Sequence, residues 1–565
     1  MTIAAFIMKS IFQTMKTIIS LFIFSVILTA ASPGISAQTS GSVHDLRWGD
    51  LGDGRFANPV LNADYSDPDV IRVGDRFYMT CSEFHFMGMP ILESTDMVNW
   101  HIIGQVYDRI DLPGYSEMTK YAEGTWAPAL RYHDGKFYIF VCTPSEGLFM
   151  TTATDPAGPW EPLHLVKGIE KWEDPCPFWD DNGDAYLVRS RHRAGPIIIH
   201  RMSPDGRALL DEGTTVYKGP VAEGPKMFKK DGYYYISIPE GGVSTGWQTI
   251  LRSKDVYGPY ESRRVLEKGS TDINGPHQGA LVDTPDGKEW WFYHFQNAGT
   301  RGRVIHLQPV EWRDGFPVIG TDYDGNGVGE PMKICRKPAV NTHCRPATPQ
   351  SSDNFAGGRC GLQWQFNHNP DTAFCSFTVR PNGFEIIPQP ADILRNAKNQ
   401  LTQKLMGYRS EATVTLDFTA MKPGERAGME CIGKQFHGAG IMVGGTDSNP
   451  LPMLYAECDS AVVFQQPITE IAGERRPSRI FLRLTADTEA NDFRFSYSLD
   501  GITFHPLGEP FAMQSGFWKG IRPGLYAYSA ISTENSIASP TKNGFYSGRA
   551  RFTDFIYLHD GPEAK

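Results

Sequence analysis

The sequence predicts an all-β protein in two parts, a five-bladed β-propeller followed by a β-sandwich. Three observations carry that reading. A hairpin pattern recurs five times within the first 330 residues. The recurrence then stops, and short alternating strands take over. Composition agrees: 57 Gly, 40 Pro and 12 % aromatic residues among 565 suit a turn-rich chain. Sustained helical periodicity is scarce, the best candidate being the run around Ala391–Leu401.

The five stretches are DPDVIRVGDRFYMT from Asp67, APALRYHDGKFYIFV from Ala127, DPCPFWDDNGDAYLV from Asp174, EGPKMFKKDGYYYISI from Glu223 and HQGALVDTPDGKEWWFY from His277. Each has a small residue or Pro near its start and then a short apolar strand. A Gly, Asp or Asn turn follows, for example Gly74-Asp75 or Asp134-Gly135, and an aromatic-rich second strand closes the unit. That is a β-hairpin with its turn chemistry written out. Outer-strand signals come next: STDMVNWHIIG, TATDPAGPWEP, SKDVYGPYESR and VEWRDGFPVIG. Recurrence roughly every 45 to 60 residues marks a propeller with one blade per repeat. Its predicted span is 56–330.

Residues 1–37 read as an export signal. Lys9 and Lys16 precede an apolar run from Ile18 to Ala31, shorter than the roughly 20 residues of a membrane span, and small residues follow to Ala37. No Cys precedes Cys81, which argues against a lipid anchor. The mature protein is expected to be periplasmic or secreted, with no membrane anchor. Residues 38–55 read as a poorly structured lead-in. Residues 331–352, rich in Pro, Ser and Thr from Ile334 onward, read as a linker. From Asp353 the strands TVTLDFTA, RIFLRLTAD, FRFSYSLDG and ARFTDFIYL predict a sandwich over 353–562.

A net charge of -10 without a dense Lys/Arg cluster argues against a nucleic-acid partner. Nine cysteines are an odd number. Cys81, Cys142 and Cys176 lie in strands and read as buried thiols. Cys335 and Cys344 flank a turn and are spaced to pair in an oxidising compartment. No Cys/His spacing argues for zinc.

Equivalent propeller strands begin around one axis, so Asp67, Asp174 and Glu223 are expected to converge on one pocket. Clustered carboxyls in a concave site point to acid–base chemistry. Asp64 and Asp69 compete with Asp67, whose Asp-Pro pair also suits a plain turn. Glu173, Asp180 and Asp181 lie beside Asp174, the last two in a hairpin turn. Glu223 has no turn role, and Gly224-Pro225 leaves open space beside it.

Several segments resemble glycoside hydrolase family 43. NPVLNADYSDPDVIRVGDRFYM and MPILESTDMVNW resemble that family's opening blade. GTWAPALRYHDGKFYIF, EDPCPFWDDNGDAYLV, AEGPKMFKKDGYYYI and GRVIHLQPVEWRDGFPVIG match its later landmarks in order. LQWQFNHNPD, with NQLTQKL downstream, resembles the concanavalin-A-like jelly-roll sandwich of the xylosidase and arabinofuranosidase branch. The resemblance implies an inverting exo-glycosidase with Asp67 as general base, Glu223 as general acid and Asp174 as the carboxylate that orients the acid and raises its pKa. It matches Trp126 to a sugar platform, Phe84 to a second aromatic wall and Arg303 to an arginine that reaches the sugar. It places His277 near the axis, beside a structural calcium or a bridging water, and implies no other cofactor. GFWKGIRPGLYAY, with Phe517-Trp518, resembles the segment through which the second domain closes over the pocket.

The expected substrate is a glycan bearing terminal arabinose or xylose, with α-L-arabinofuranose favoured over β-D-xylose. A non-catalytic glycan-binding propeller is the alternative from another class, though a binder has no need of three carboxyls. A retaining fructan hydrolase would need a nucleophile about 5–5.5 Å from the acid.

Overall fold

In the computed structural model the described residues are 45–459, 461–473, 476–530 and 547–562. The proposed export signal lies outside them. The five hairpins become five four-stranded antiparallel blades. Blade 1 runs Asp69–Val73, Arg76–Thr80, Pro90–Ser94 and His101–Gln105. Blade 2 opens at Trp126–His133, blade 3 at Trp172–Trp179, blade 4 at Lys226–Lys230 and blade 5 at His277–Asp283. Within each blade the strands pair in sequence order, so the first strand lies innermost. Alternate side chains fill the seams between blades. Leu130, Phe137 and Ile139 meet Tyr78 and Ile91 between blades 1 and 2, and Val188 and Ile199 meet Ile236 and Leu251 between blades 3 and 4.

The second half is a β-sandwich of two eight-stranded sheets. Arg409–Asp417 and Arg479–Asp487 show why it forms: buried and partly exposed residues alternate along both strands. Ala412, Val414 and Leu416 face the core beside Ile480, Leu482 and Leu484. The helix candidate at Ala391–Leu401 holds a single 3-10 turn, Leu394–Asn396, between strand residues. Nothing there sustains a helical face.

The two halves pack directly against each other. One apolar cluster runs from blades 1 and 5 (Phe77, Met79, Trp291, Tyr293) into the sandwich (Leu405, Met406, Leu525). The lead-in also departs from expectation, since it is packed from Asp45 onward. Trp48 is buried, its ring stands edge-on to Tyr65 at 6.2 Å, and its Nε1 donates to the Trp100 carbonyl at 3.2 Å. The Pro-rich connection is held against blade 1. Ile334–Arg336 pairs with Arg55–Ala57, and Lys337 Nζ lies 2.7 Å from both Asp50 and Asp96. Gln350 exchanges two 2.8 Å hydrogen bonds with the Ile102 backbone. All nine cysteines are free thiols, Cys335 and Cys344 included.

A buried ion cluster joins the halves. Glu83, on blade 1's side, accepts Lys404 Nζ at 2.5 Å on Oε1, and Arg522 at 2.8 Å and Lys519 at 3.4 Å on Oε2. Burial alone would raise the Glu83 pKa, but the three cations overcome it and hold the carboxyl far below its ordinary range. Removing one member of such a cluster strands the others in a dry site. Glu83→Gln is therefore expected to cost about 3–5 kcal/mol and to lower the thermal transition. An unchanged transition in scanning calorimetry would show that the cluster does not hold the halves together.

Candidate active site

Each blade opens on one residue with left-handed backbone: Asp67 (φ 54°), Ala127 (39°), Asp174 (56°), Gly224 (56°) and Gln278 (47°). A bulge accompanies it where both flanks are paired. Trp126 faces Cys142 but Ala129 faces Phe140; Glu173 faces Ser190 but Cys176 faces Val188; His277 faces Phe295 but Gly279 faces His294. In a regular strand neighbouring side chains point to opposite faces. The bulge breaks that alternation and re-aims the chain. Two consecutive residues therefore face the axis in blades 2, 3 and 5: Trp126 with Ala127, Glu173 with Asp174, and His277 with Gln278. The structure thereby shifts the repeat phase. Gly224 and Gln278, rather than Glu223 and His277, are the counterparts of Asp67 and Asp174.

A cavity of about 460 Å³ lies over this ring. All eight residues singled out from the sequence line it: Asp67, Phe84, Trp126, Asp174, Glu223, His277, Arg303 and Trp518. Trp518 comes from the sandwich. Its loop is pinned by hydrogen bonds from Gly520 N to Asp64 Oδ2 (3.1 Å) and from Ile521 N to the Thr300 carbonyl (2.8 Å). Phe517 lines a separate small hollow beside His85 and Phe86. Phe84 and Trp126 form a tilted aromatic wall with centroids 6.0 Å apart.

The carboxyls sit in opposite environments. Asp67 Oδ1 accepts Arg303 Nη1 at 2.8 Å, and Oδ2 accepts the hydroxyls of Ser82 (2.6 Å) and Ser66 (3.0 Å). Burial pushes its pKa up, but Arg303 and the two hydroxyls outweigh that and bring it below the ordinary value. Across the axis, carboxylate oxygens of Glu173, Asp174 and Glu223 lie within 4.8 Å of one another. Asp174 Oδ2 accepts the Ser190 hydroxyl (2.7 Å) and the Gly224 amide (2.8 Å). Burial and the adjacent Glu223 nevertheless push Asp174 up to about 6. Burial, with Asp174 and Glu223 beside it, pushes Glu173 up to about 9. Glu223 Oε1 pairs with His277 Nε2 at 2.8 Å.

His277, where the resemblance places a calcium, is by itself a poor donor for one. Calcium takes six to eight oxygen ligands. His277 has committed Nε2 to Glu223, leaving one nitrogen, Nδ1. Deeper on the axis a protein cation already stands. Lys226 of blade 4 reaches across to the Pro128 carbonyl of blade 2 (3.2 Å) and lies 3.9 Å from Asp69 of blade 1. Arg131 pairs with the same Asp69 oxygen at 2.7 Å and donates to Cys176 Sγ of blade 3.

Sequence reading named Glu173 only as a neighbour competing with Asp174 and passed over His192, Arg193, Val221, Val243 and Gln278; all six also line the cavity. Glu173 and Gln278 were within reach. Each is the immediate neighbour of a residue already singled out, and the bulge at the blade opening brings both to the cavity.

Acids meeting across the axis of a propeller, under aromatic walls, define an enzyme of acid–base chemistry acting on a small polar ligand. Residues 56–317 match the family model for glycosyl hydrolases family 43, and residues 352–539 match that for the beta xylosidase C-terminal concanavalin A-like domain. A protein of Xylanibacter ruminicola named "Putative beta-xylosidase" is 50 % identical over 84 % of this chain and 87 % of its own. "Non-reducing end alpha-L-arabinofuranosidase BoGH43B" of Bacteroides ovatus is 30 % identical over 66 % of this chain and 73 % of its own. The crystal structure of the GH43 protein BlXynB from Bacillus licheniformis superposes with a TM-score of 0.75 at 26 % identity, covering 89 % of this chain and 99 % of that one. The chain belongs to glycoside hydrolase family 43 and is a glycoside hydrolase. The alternative of a non-catalytic binding propeller falls with that.

One glycine is structurally fixed in this site. A Cβ at Gly224 would lie 2.5 Å from Gln278 Oε1, on left-handed backbone. Gly224→Ala is expected to cost about 1–2 kcal/mol in backbone strain. It should also push Gln278 into the cavity and lower kcat/KM. Thermal unfolding and steady-state kinetics of the variant check both; full activity at unchanged Tm would contradict the assigned packing.

Proposed function

We propose that the protein is an exo-acting, inverting hydrolase that releases a terminal pentose, with Asp67 as general base, Glu223 as general acid and Asp174 orienting the acid. One observation carries this: the carboxyls are divided between two environments. Asp67 is kept ionised by Arg303, Ser66 and Ser82, as a base activating water requires. The opposite carboxyls crowd together, and a carboxyl among carboxylates tends to keep a proton. Blades 1 and 4 are not neighbours in a five-bladed ring. The base and the acid therefore face each other across the cavity, with room for water on one face of a sugar and a leaving oxygen on the other. Trp518 closing one side supports a pocket that admits a chain end.

The sugar we favour is β-D-xylose, reversing the preference for arabinose drawn from sequence alone. The relative at 50 % identity is named for xylosidase activity, and the one named for arabinofuranosidase is 30 % identical. Cleavage of α-L-arabinofuranosides as a second activity fits the same pocket, since the two pentoses present similar hydroxyls. The substrate is then a xylose- or arabinose-bearing glycan met outside the cytoplasm. The reaction as proposed runs on carboxyls and water.

Side-by-side assay on aryl β-D-xyloside and aryl α-L-arabinofuranoside tests the sugar, with the higher kcat/KM expected on the xyloside. On the same enzyme Glu223→Ala should abolish hydrolysis of xylobiose and partly spare aryl xylosides, whose leaving groups need little protonation. Equal loss on both would remove Glu223 from the acid role.

The base role gives a signed pH prediction. Hydrogen bonds to an ionised carboxylate lower its pKa, so removing one raises it. Ser82→Ala should move the acidic limb of the kcat/KM profile to higher pH by about one unit. An acidic limb that stays in place would place the base elsewhere.

A further inference from the structure

Glu173 has no part in the acid–base pair above, yet it stands among the groups that do. It precedes the left-handed Asp174, as Trp126 precedes Ala127 and His277 precedes Gln278, and it lines the same cavity. Its side chain is only 8 % exposed. The groups facing it are Asp174 on its own strand, Glu223 on blade 4, Asp67 across the cavity, and the turn that carries His192, Arg193 and Ala194. Ala194 N donates to Oε1 at 3.3 Å, and His192 Nδ1 lies 3.4 Å from Oε2. Among the described residues no lysine or arginine forms an ion pair with it, and His192 is itself biased towards the neutral form by burial and by Arg193 and Lys171.

A buried carboxyl beside two others, with no cation, keeps its proton. A protonated carboxyl differs from a carboxylate in what it can bind, because it carries an O–H donor. The surrounding pocket is rich in acceptors. The wall that Glu173 shares with Asp174 and Glu223 also carries the side chains of His192 and Arg193, and a protonated Glu173 adds a donor among those carboxyls.

We propose that Glu173 is a further substrate-binding residue, whose carboxylic acid O–H donates a hydrogen bond to an oxygen of the sugar in the cavity. The proposal rests on the reading of the protein as a pentosidase. It assigns Glu173 to recognition rather than to proton transfer, and it separates the two consecutive acids of blade 3 by task. The upward shift of its pKa to about 9 supports a proton retained throughout the working range.

Two variants test it. Glu173→Gln keeps an N–H donor at nearly the same place but cannot ionise. Glu173→Ala removes the donor. On the better aryl pentoside at pH 6, Glu173→Gln should stay within about threefold of wild type in KM. Glu173→Ala should raise KM, and the inhibition constant of the free pentose, roughly tenfold, the scale of one lost hydrogen bond. Above about pH 9 the pentose inhibition constant of wild type should rise as the Glu173 proton leaves, while that of Glu173→Gln stays level. Glu173→Gln impaired as severely as Glu173→Ala would mean that the ionised carboxylate is what matters, and would overturn the proposal. So would pentose inhibition unchanged in both variants alongside a lowered Tm, the signature of a residue that only holds the 192–194 turn. Wild type inactive on both pentosides would overturn the functional reading and this inference together. Active wild type with Glu173→Ala indistinguishable from it would overturn the inference alone.

Discussion

The site depends on one backbone constraint, the left-handed residue at the opening of each blade. Without it the inner strands would alternate strictly, and each blade would offer the axis one side chain per two residues. With it, blades 2, 3 and 5 each present two neighbours to the cavity. Such conformations cost non-glycine residues about 1–3 kcal/mol each and persist where surrounding structure fixes them. Here the fixing bonds are visible. Ala127 N donates to Ser82 Oγ at 2.6 Å, and the Gly224 amide donates to Asp174. The groups that hold the strained residues are the same groups that set the charges of Asp67 and Asp174. Strain and electrostatics in this pocket have a common origin.

The sandwich enters that network one residue away from the base. Lys519 Nζ donates to the Ser82 carbonyl at 2.8 Å, and the Ser82 hydroxyl donates to Asp67. Glu83, next in the chain, gathers Lys519, Lys404 and Arg522. Burial pulls Lys519 down to about 8, so its charge depends on the anion beside it. Glu83 is depressed, which means its stabilising contribution is present above the unfolded carboxyl pKa of about 4.3 and is lost only as pH falls through its much lower folded value. The interlock therefore persists in mild acid, where Asp174 also carries its proton.

Local signals were legible and cross-chain ones were not. Turn dipeptides such as Asp134-Gly135 and Asp231-Gly232, followed by aromatic strands, placed the hairpins, and their spacing placed the blades. The three acids and five neighbouring residues all reach the cavity because each sits where a repeat opens or where a family motif marks it. The phase of blades 4 and 5 was misread by one residue, because Glu223 and His277 look like the opening groups until backbone conformation shows that Gly224 and Gln278 are. Pairs such as Glu83 with Arg522, 439 positions apart, leave no local trace. The packing of Trp48 was equally hidden, since its partners Tyr65 and Trp100 come from separate strand connections.

Charge in the pocket is divided by provenance. One cation stands beside Asp67, Arg303 of blade 5, while Lys404, Lys519 and Arg522 from the sandwich are gathered on Glu83. Blades 3 and 4 bring acids to the opposite wall, and their nearest buried ammonium, Lys226, is turned away to the Pro128 carbonyl and Asp69. The ring is not electrostatically symmetric, because the equivalent opening positions carry different residues: Asp67, Ala127, Asp174, Gly224 and Gln278. The asymmetry comes from the residues the blades themselves carry, Arg303 of blade 5 on one side and Glu173, Asp174 and Glu223 on the other. The sandwich enters the pocket through Trp518, the one of its described residues that lines the cavity. Its tie to the base runs through Ser82, whose carbonyl accepts Lys519 and whose hydroxyl donates to Asp67.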